Sequence, residues 1–141
     1  MKTLSITITL ILIATISLAQ TAESLRDRIQ EHYTAINAGE NAAIQSHHLQ
    51  EFSIFPWNGN ALLESGWEET FKKMGTNFKF PKANVTMKHF NAQIYNNVGV
   101  ATFYLDGTYG DVSGLWRVTA VWVWADGMWK EAHHHESELK N

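Results

Sequence analysis

The stretch that decides the fold is LWRVTAVWVWADGMWKEAHHHES, residues 115–137. Its two halves, 115–124 and 129–137, are rich in β-branched and aromatic residues and alternate as half-buried strands do. Asp126-Gly127 between them is a dipeptide typical of tight turns between antiparallel strands. This stretch therefore predicts a β-hairpin at the C-terminal end.

Two earlier segments, 85–95 and 98–109, show the same alternation and are separated by Asn96-Asn97. A glycine-containing segment, 110–114, separates them from the hairpin. Because strands that follow one another along the chain usually pair, the C-terminal half predicts four antiparallel strands joined as a meander.

The N-terminal half has helical spacing instead. Thr21 can cap a helix that ends near Gly39, and a second helix is predicted from Asn41. The apolar positions of the first helix are Leu25, Ile29, Tyr33 and Ile36. A short strand over 51–55 and a third helix over 64–74 complete this half. Helices followed by antiparallel strands indicate a single α+β domain over residues 20–141.

Residues 1–19 have the pattern of a secretory signal. A short start with one positive charge, Lys2, precedes the uncharged apolar run 4–18, which ends at Ser17-Leu18-Ala19. The run is shorter than the ~20 residues of a membrane-spanning helix, which disfavours the alternative of an N-terminal anchor. We therefore expect cleavage after Ala19, a periplasmic or secreted domain, and no membrane contact after cleavage.

Composition excludes several classes of function. The chain has no cysteine, so it has no disulfide, thiolate metal site or cysteine nucleophile. Without Lys2 it has ten basic and fourteen acidic residues and no basic cluster beyond Lys72-Lys73, which argues against nucleic-acid binding. No Gly-x-Ser-x-Gly, phosphate-loop or His-Glu-x-x-His motif is present. Six Trp, seven Phe and four Tyr favour an aromatic core, pocket or interface.

Three motifs carry a family resemblance: the Arg-x-Thr strand at 117–119, the Asp-Gly-x-Trp turn at 126–129 and the His-x-His-x-Ser strand at 133–137. They resemble the last hairpin of SnoaL-like (DUF4440-type) proteins, and residues 33–39 are similar to the first helix of that family and the turn after it. The family belongs to the nuclear transport factor 2-like (NTF2-like) superfamily. The resemblance implies a cone-shaped, cystatin-like fold whose helices and curved antiparallel sheet enclose one small-molecule pocket.

The period of two places Arg117 and Thr119 on one face of their strand. On the next strand it places Glu131, His133, His135 and Ser137 on one face. A three-residue loop at 125–127 would put Arg117 opposite His135, whereas a two-residue turn would put it opposite Glu136. Periodicity alone leaves both open. The resemblance favours the first, since it implies that Arg117 and His135 meet in the pocket.

The favoured register leaves Trp122 and Trp124 on the other face of the sheet. Several exposed tryptophans on one face would be costly in a monomer. We therefore expect a homodimer through this face.

The resemblance implies a set of site residues. His135 or Glu131 is expected to act as general base, with Arg117 as electrostatic anchor and His135 neutral beside it. Alternatively, Arg117 only pairs with Glu131 or Glu136 across strands. The residues expected to line the pocket are Tyr33, Trp67, Thr119, His133 and Ser137.

No cofactor is expected at this site. His133 and His135 point the same way, but no motif supplies a third metal ligand, even with His47-His48 considered. The preferred hypothesis is a domain that binds a small, partly apolar, acidic molecule. The alternatives are a cofactor-independent isomerase, dehydratase or cyclase and, third, a pure dimerisation module.

Overall fold

In a computed structural model of the protein, residues 20–56 and 82–140 are described. The elements are α1 Ala22–Ala38, α2 Asn41–Ser46, β1 His48–Phe55, β2 Ala83–Tyr95, β3 Val98–Tyr109, β4 Val112–Ala125 and β5 Met128–Glu138. The expected signal segment, Trp67 and the third helix over 64–74 lie outside the described residues. Neither described helix is both long and apolar enough to cross a membrane.

The five strands form one curved, unclosed sheet in the order β1-β5-β4-β3-β2. Strands β2 to β5 make the predicted antiparallel meander. Strand β1 pairs in parallel with β5, and Ser53 lies beside His133. The α+β class and the predicted fold are confirmed.

Helix α1 begins and ends where its sequence predicts. The hydroxyl of Thr21 accepts a hydrogen bond from the backbone N–H of Ser24, and the Thr21 N–H donates to the Ser24 hydroxyl, which makes a capping box. Gly39 ends the helix in the left-handed conformation, at φ 72°. Between them, Leu25 and Ile29 are fully buried against the sheet.

Side chains at both ends of α1 fix the helix across one face of the sheet, here called the inner face. Asn37 makes two hydrogen bonds to the backbone of Val85 on β2, at 2.8 and 2.9 Å. At the other end, the indole N–H of Trp129 on β5 donates to the Ser24 hydroxyl at 3.0 Å. These contacts fix α1 to β2 near its C-terminal end and to β5 near its N-terminal end.

The last hairpin differs from the favoured prediction. Asp126 and Gly127 have φ values of 54° and 78°, which two-residue hairpin turns of type I′ require. Ala125 therefore pairs with Met128, and the expected three-residue loop is wrong.

A β-bulge then shifts the register within β5. Val121 pairs with His133, but Trp122 pairs with Glu131, so Ala132 is an extra residue on β5. Because side chains alternate between faces, one extra residue exchanges the faces of everything that follows. The two halves of β5 therefore do not share the single face that the period of two predicts.

In the structure the two faces of β4 are the reverse of those predicted. Trp116 and Trp122 are 0% and 1% exposed and lie in the subunit's own core, and Trp124 packs against Trp129 with ring centroids 5.4 Å apart. The face expected to form a dimer is therefore the inner face, and α1 covers it within the subunit. Homodimerisation itself stays a prediction.

Candidate functional site

Six titratable side chains lie buried together on the inner face, each 8% exposed or less. They are His32, His47, His48, Glu131, His134 and Glu136. Ionisable side chains are rarely this buried unless they pair with one another. We call these residues the inner cluster.

Four elements bring the inner cluster together. His32 projects from α1 on the same stripe as Ile29, and His47 and His48 stand at the junction of α2 and β1. The backbone N–H of Glu131 donates to the His47 carbonyl at 2.7 Å, which joins this junction to β5. The bulge at Ala132 lets both Glu131 and the later residues His134 and Glu136 face inward.

An ion-pair network occupies the centre of the cluster. His134 Nδ1 lies 2.9 Å from Glu131 Oε1, and His134 Nε2 lies 3.3 Å from Glu136 Oε2. Burial alone would lower the pKa of His134, but the Glu131 and Glu136 carboxylates raise it to about 10. Burial alone would raise the pKa of Glu131, but His134 and His48 hold it well below its usual range. An imidazolium thus bridges two carboxylates at neutral pH.

The other histidines surround the second oxygen of Glu131. His48 Nε2 lies 3.1 Å from Glu131 Oε2, and His32 Nε2 lies 3.9 Å from the same oxygen. His32 Nδ1 lies 3.1 Å from His47 Nδ1. Burial lowers the pKa of His32 well below its usual value despite the opposing charge of Glu131. Burial, with the nearby Arg28 charge, lowers the pKa of His47 to about 4.

Aromatic side chains enclose the cluster. Tyr109 packs edge-on against Trp116 with ring centroids 4.9 Å apart. Trp122 likewise packs edge-on against His32, with ring centroids 5.9 Å apart. Burial and the Glu136 carboxylate raise the pKa of Tyr109, and burial raises the pKa of Tyr33. Both hydroxyls therefore remain protonated donors at neutral pH.

A groove of about 570 Å³ runs between α1 and α2. Its walls carry the carboxylates of Asp27, Glu31 and Glu40, of which Glu31 pairs with Arg28 at 3.0 Å. His47 belongs to both the groove and the inner cluster. One histidine thus links the solvent side of the helices to the buried groups.

The SnoaL-like domain profile matches residues 25–140 of the chain. The chain belongs to the SnoaL-like family. No curated protein sequence matches it.

Solved structures of the NTF2-like superfamily have the same fold as this SnoaL-like chain. An NTF2-like protein from Cytophaga hutchinsonii is 15% identical, with a TM-score of 0.68 over 83% of this chain and 97% of that chain. A candidate ketosteroid isomerase from Parabacteroides distasonis is 22% identical, with a TM-score of 0.64 over 79% and 85% of the two chains. A candidate dehydratase of the NTF2-like family from Streptomyces avermitilis is 17% identical, with a TM-score of 0.70 over 85% and 96%.

The predicted site residues of this SnoaL-like domain divide between the two faces. Tyr33 and Glu131 are buried on the inner face. Arg117 pairs with Ser137 and Thr119 with His135 on the outer face, where Arg117, Thr119 and His135 are exposed. Neither Arg117 nor His135 therefore reaches Glu131, and the expectation of a buried His135 beside Arg117 is wrong.

His133 lies on the outer face, half-buried, with its Nδ1 2.8 Å from the Ser53 hydroxyl. Phe55 of β1 packs edge-on against both His133 and His135, with ring centroids 6.0 and 5.6 Å apart. Ser137 is also half-buried on this face. Contacts with the edge strand thus account for part of the burial of His133.

Of the six residues of the inner cluster, sequence reasoning predicted only Glu131 as a site residue. His32 had a usable signal, because it falls on the apolar stripe of α1 between Ile29 and Ile36. His48, His134 and Glu136 had none. Their inward orientation depends on the parallel pairing of β1 and on the bulge, and neither leaves a local pattern.

Proposed function

We propose that this SnoaL-like domain binds a small, partly apolar molecule on its inner face, with the polar end of the ligand beside the inner cluster. The observation that carries the proposal is a buried Glu131–His134–Glu136 ion-pair network set among tryptophan and tyrosine rings. Such a site combines apolar surface with a few fixed polar groups, which is the usual composition of a small-molecule site.

The charges of the cluster define the ligand further. An acidic ligand was expected because Arg117 was placed in the pocket, but Arg117 is exposed on the outer face. The inner face instead carries two carboxylates bridged by one imidazolium. Carboxylates accept hydrogen bonds, so we infer a ligand with hydroxyl or ammonium donors rather than an acid.

Binding fits these residues better than catalysis. An efficient general acid or base has a pKa near the working pH. The pKa of His134 is raised to about 10, and the pKa of Glu131 is held well below its usual range. At neutral pH both groups keep their charge, as suits a fixed recognition site.

A cofactor-independent isomerase or dehydratase is the second candidate. Tyr33, which is buried, and Tyr109, which is half-buried beside Glu136, favour it, because protonated phenols can donate hydrogen bonds to an oxyanion that forms during enolisation. Fold similarity to the candidate ketosteroid isomerase and the candidate dehydratase agrees with this reading. In this candidate the inner cluster supplies the proton acceptor.

The test compares ligands and two matched tyrosine variants. Cyclic alcohols, amines and carboxylic acids with the same ring are titrated into the protein in EDTA, and tryptophan fluorescence reports binding. Alcohols or amines are expected to bind more tightly than acids. Tyr109→Phe should weaken alcohol binding about 5–10-fold by removing one hydrogen bond. Tyr104→Phe, on the strand position paired with Arg117, should leave it unchanged.

Two outcomes would contradict the binding proposal. Tighter binding of acids would show that the carboxylates do not face the ligand. Equal effects of Tyr104→Phe and Tyr109→Phe would place the ligand away from the inner face. Turnover of a β,γ-unsaturated ketone, lowered by Tyr109→Phe and not by Tyr104→Phe, would favour the isomerase instead.

A further inference from the structure

Three donor atoms converge inside the inner cluster from three separate elements. They are Nε2 of His32 on α1, Nε2 of His48 on β1 and Oε2 of Glu131 on β5, and all lie within 4.8 Å of one another. The three side chains are 5%, 3% and 2% exposed. Two imidazoles and one carboxylate thus share a small volume from which water is largely excluded.

The hydrogen bond of His48 orients its ring. Its Nδ1 lies 2.6 Å from the carbonyl oxygen of Ile44, which can only accept, so Nδ1 carries a proton. The other ring nitrogen, Nε2, lies 3.1 Å from Glu131 Oε2, which can only accept. A proton on Nε2 makes this approach a hydrogen bond, and a metal ion bound between the two atoms would take the place of that proton.

The surroundings of Glu131 Oε2 also favour a cation at this position. No described residue gives this buried oxygen a well-aligned hydrogen bond, although such groups are normally paired. The second oxygen of the same carboxylate is held by His134 Nδ1 at 2.9 Å. Metal-binding imidazoles and carboxylates are commonly oriented in this way, through hydrogen bonds made by their non-ligating atoms.

We propose that His32, His48 and Glu131 form a binding site for one divalent transition-metal ion. Ligand atoms about 2.0–2.1 Å from a tetrahedral ion lie roughly 3.3 Å apart; the separations to Glu131 Oε2 are 3.1 and 3.9 Å, and no pair of the three donor atoms is more than 4.8 Å apart, so ion binding requires the imidazoles to move slightly closer together. Two histidines and one glutamate leave at least one coordination position open, as in hydrolytic zinc sites and non-haem iron sites. The nitrogen ligands favour Zn²⁺ or Fe²⁺ over Mg²⁺ or Ca²⁺.

The groove between α1 and α2 offers access for the ion. Its carboxylates, from Asp27, Glu31 and Glu40, attract cations, and His47 at its wall contacts His32.

The metal site goes beyond the proposed ligand-binding function and does not depend on it. The metal experiment contains no organic ligand, and the ligand titration is done in EDTA, so each can fail alone.

The test uses the tag-free protein, since a polyhistidine tag would itself bind metal. After EDTA treatment and dialysis, Zn²⁺ is titrated by calorimetry and Co²⁺ by visible absorption. We expect one ion per chain, Co²⁺ bands of a tetrahedral or five-coordinate site, and no comparable heat with Mg²⁺. Separate His48→Ala and Glu131→Gln changes should each lower Zn²⁺ affinity by about 100-fold or more. Loss of a residue that only hydrogen-bonds to a metal ligand already lowers metal affinity by about 10–100-fold, and these two residues are ligands themselves.

The matched control is the double change His133→Ala/His135→Ala. These two histidines lie on the outer face of the same strand and offer the alternative surface site for Zn²⁺. The double variant should bind Zn²⁺ as tightly as the unchanged protein. Loss of binding in this control would overturn the inner site, and so would absence of one-to-one binding in the unchanged protein. Because both results come from chains with an intact inner cluster, misfolding of His48→Ala or Glu131→Gln cannot mask them.

Discussion

Replacing His134 by leucine tests the arrangement of the inner cluster most directly. The change removes the imidazolium that bridges Glu131 and Glu136 and leaves both carboxylates buried, at 1% and 6% exposure. Removing one partner of a buried ion pair typically costs about 3–5 kcal/mol, because the remaining charge is left uncompensated. His134→Leu should therefore lower the free energy of unfolding by about that amount.

The matched control is His135→Leu, one residue further along the same strand. His135 is exposed on the outer face, where substitutions usually change stability by about 0.5 kcal/mol or less. Urea unfolding in EDTA, followed by circular dichroism, measures both variants without a contribution from bound metal. A large loss in His135→Leu with a small one in His134→Leu would refute the bulge and restore the register in which His135 faces inward.

A double-mutant cycle then tests the contact itself. His134→Leu and Glu136→Gln, measured singly and together, should show a coupling energy of about 0.5–3 kcal/mol. Additive effects would mean that the 3.3 Å contact between these side chains contributes nothing to stability.

Three further predictions concern other parts of the chain. Gly99→Ala should destabilise the fold by about 1–3 kcal/mol in urea unfolding, because the new Cβ would lie 2.5 Å from a Leu25 methyl group; an unchanged midpoint would contradict this close approach. The pKa of Tyr109 should lie above its ordinary value. In an absorbance titration to high pH, Tyr109→Phe should therefore remove the phenolate signal that appears last. Since the pKa of Tyr109 is raised by folding, its contribution to stability should fall as the pH rises past about 10. If the chain is exported and cleaved after Ala19, mass spectrometry of the mature protein should find Gln20 at its N-terminus, whereas an intact Met1 on cytosolic protein would contradict this.

Local sequence determined the elements of this domain and its family. Thr21 and Gly39 set the ends of α1 because capping and left-handed conformation depend on residues within a single turn. Asp126-Gly127 likewise sets its own turn through the positive φ values that it tolerates. The hairpin motifs of 117–137 and the helix and turn of 33–39 resemble the SnoaL-like family, and the family profile over residues 25–140 confirms that membership.

Only the tertiary structure decided which side chains meet. Alternation predicts faces along an unbroken strand, and one extra residue, Ala132, exchanges the faces of all residues after it. Its position coincides with the start of the parallel pairing between His48 and Glu131, a contact between residues far apart in sequence. Side-chain direction in a strand repeats every two residues, so the one extra residue leaves His134 facing inward and His135 facing outward.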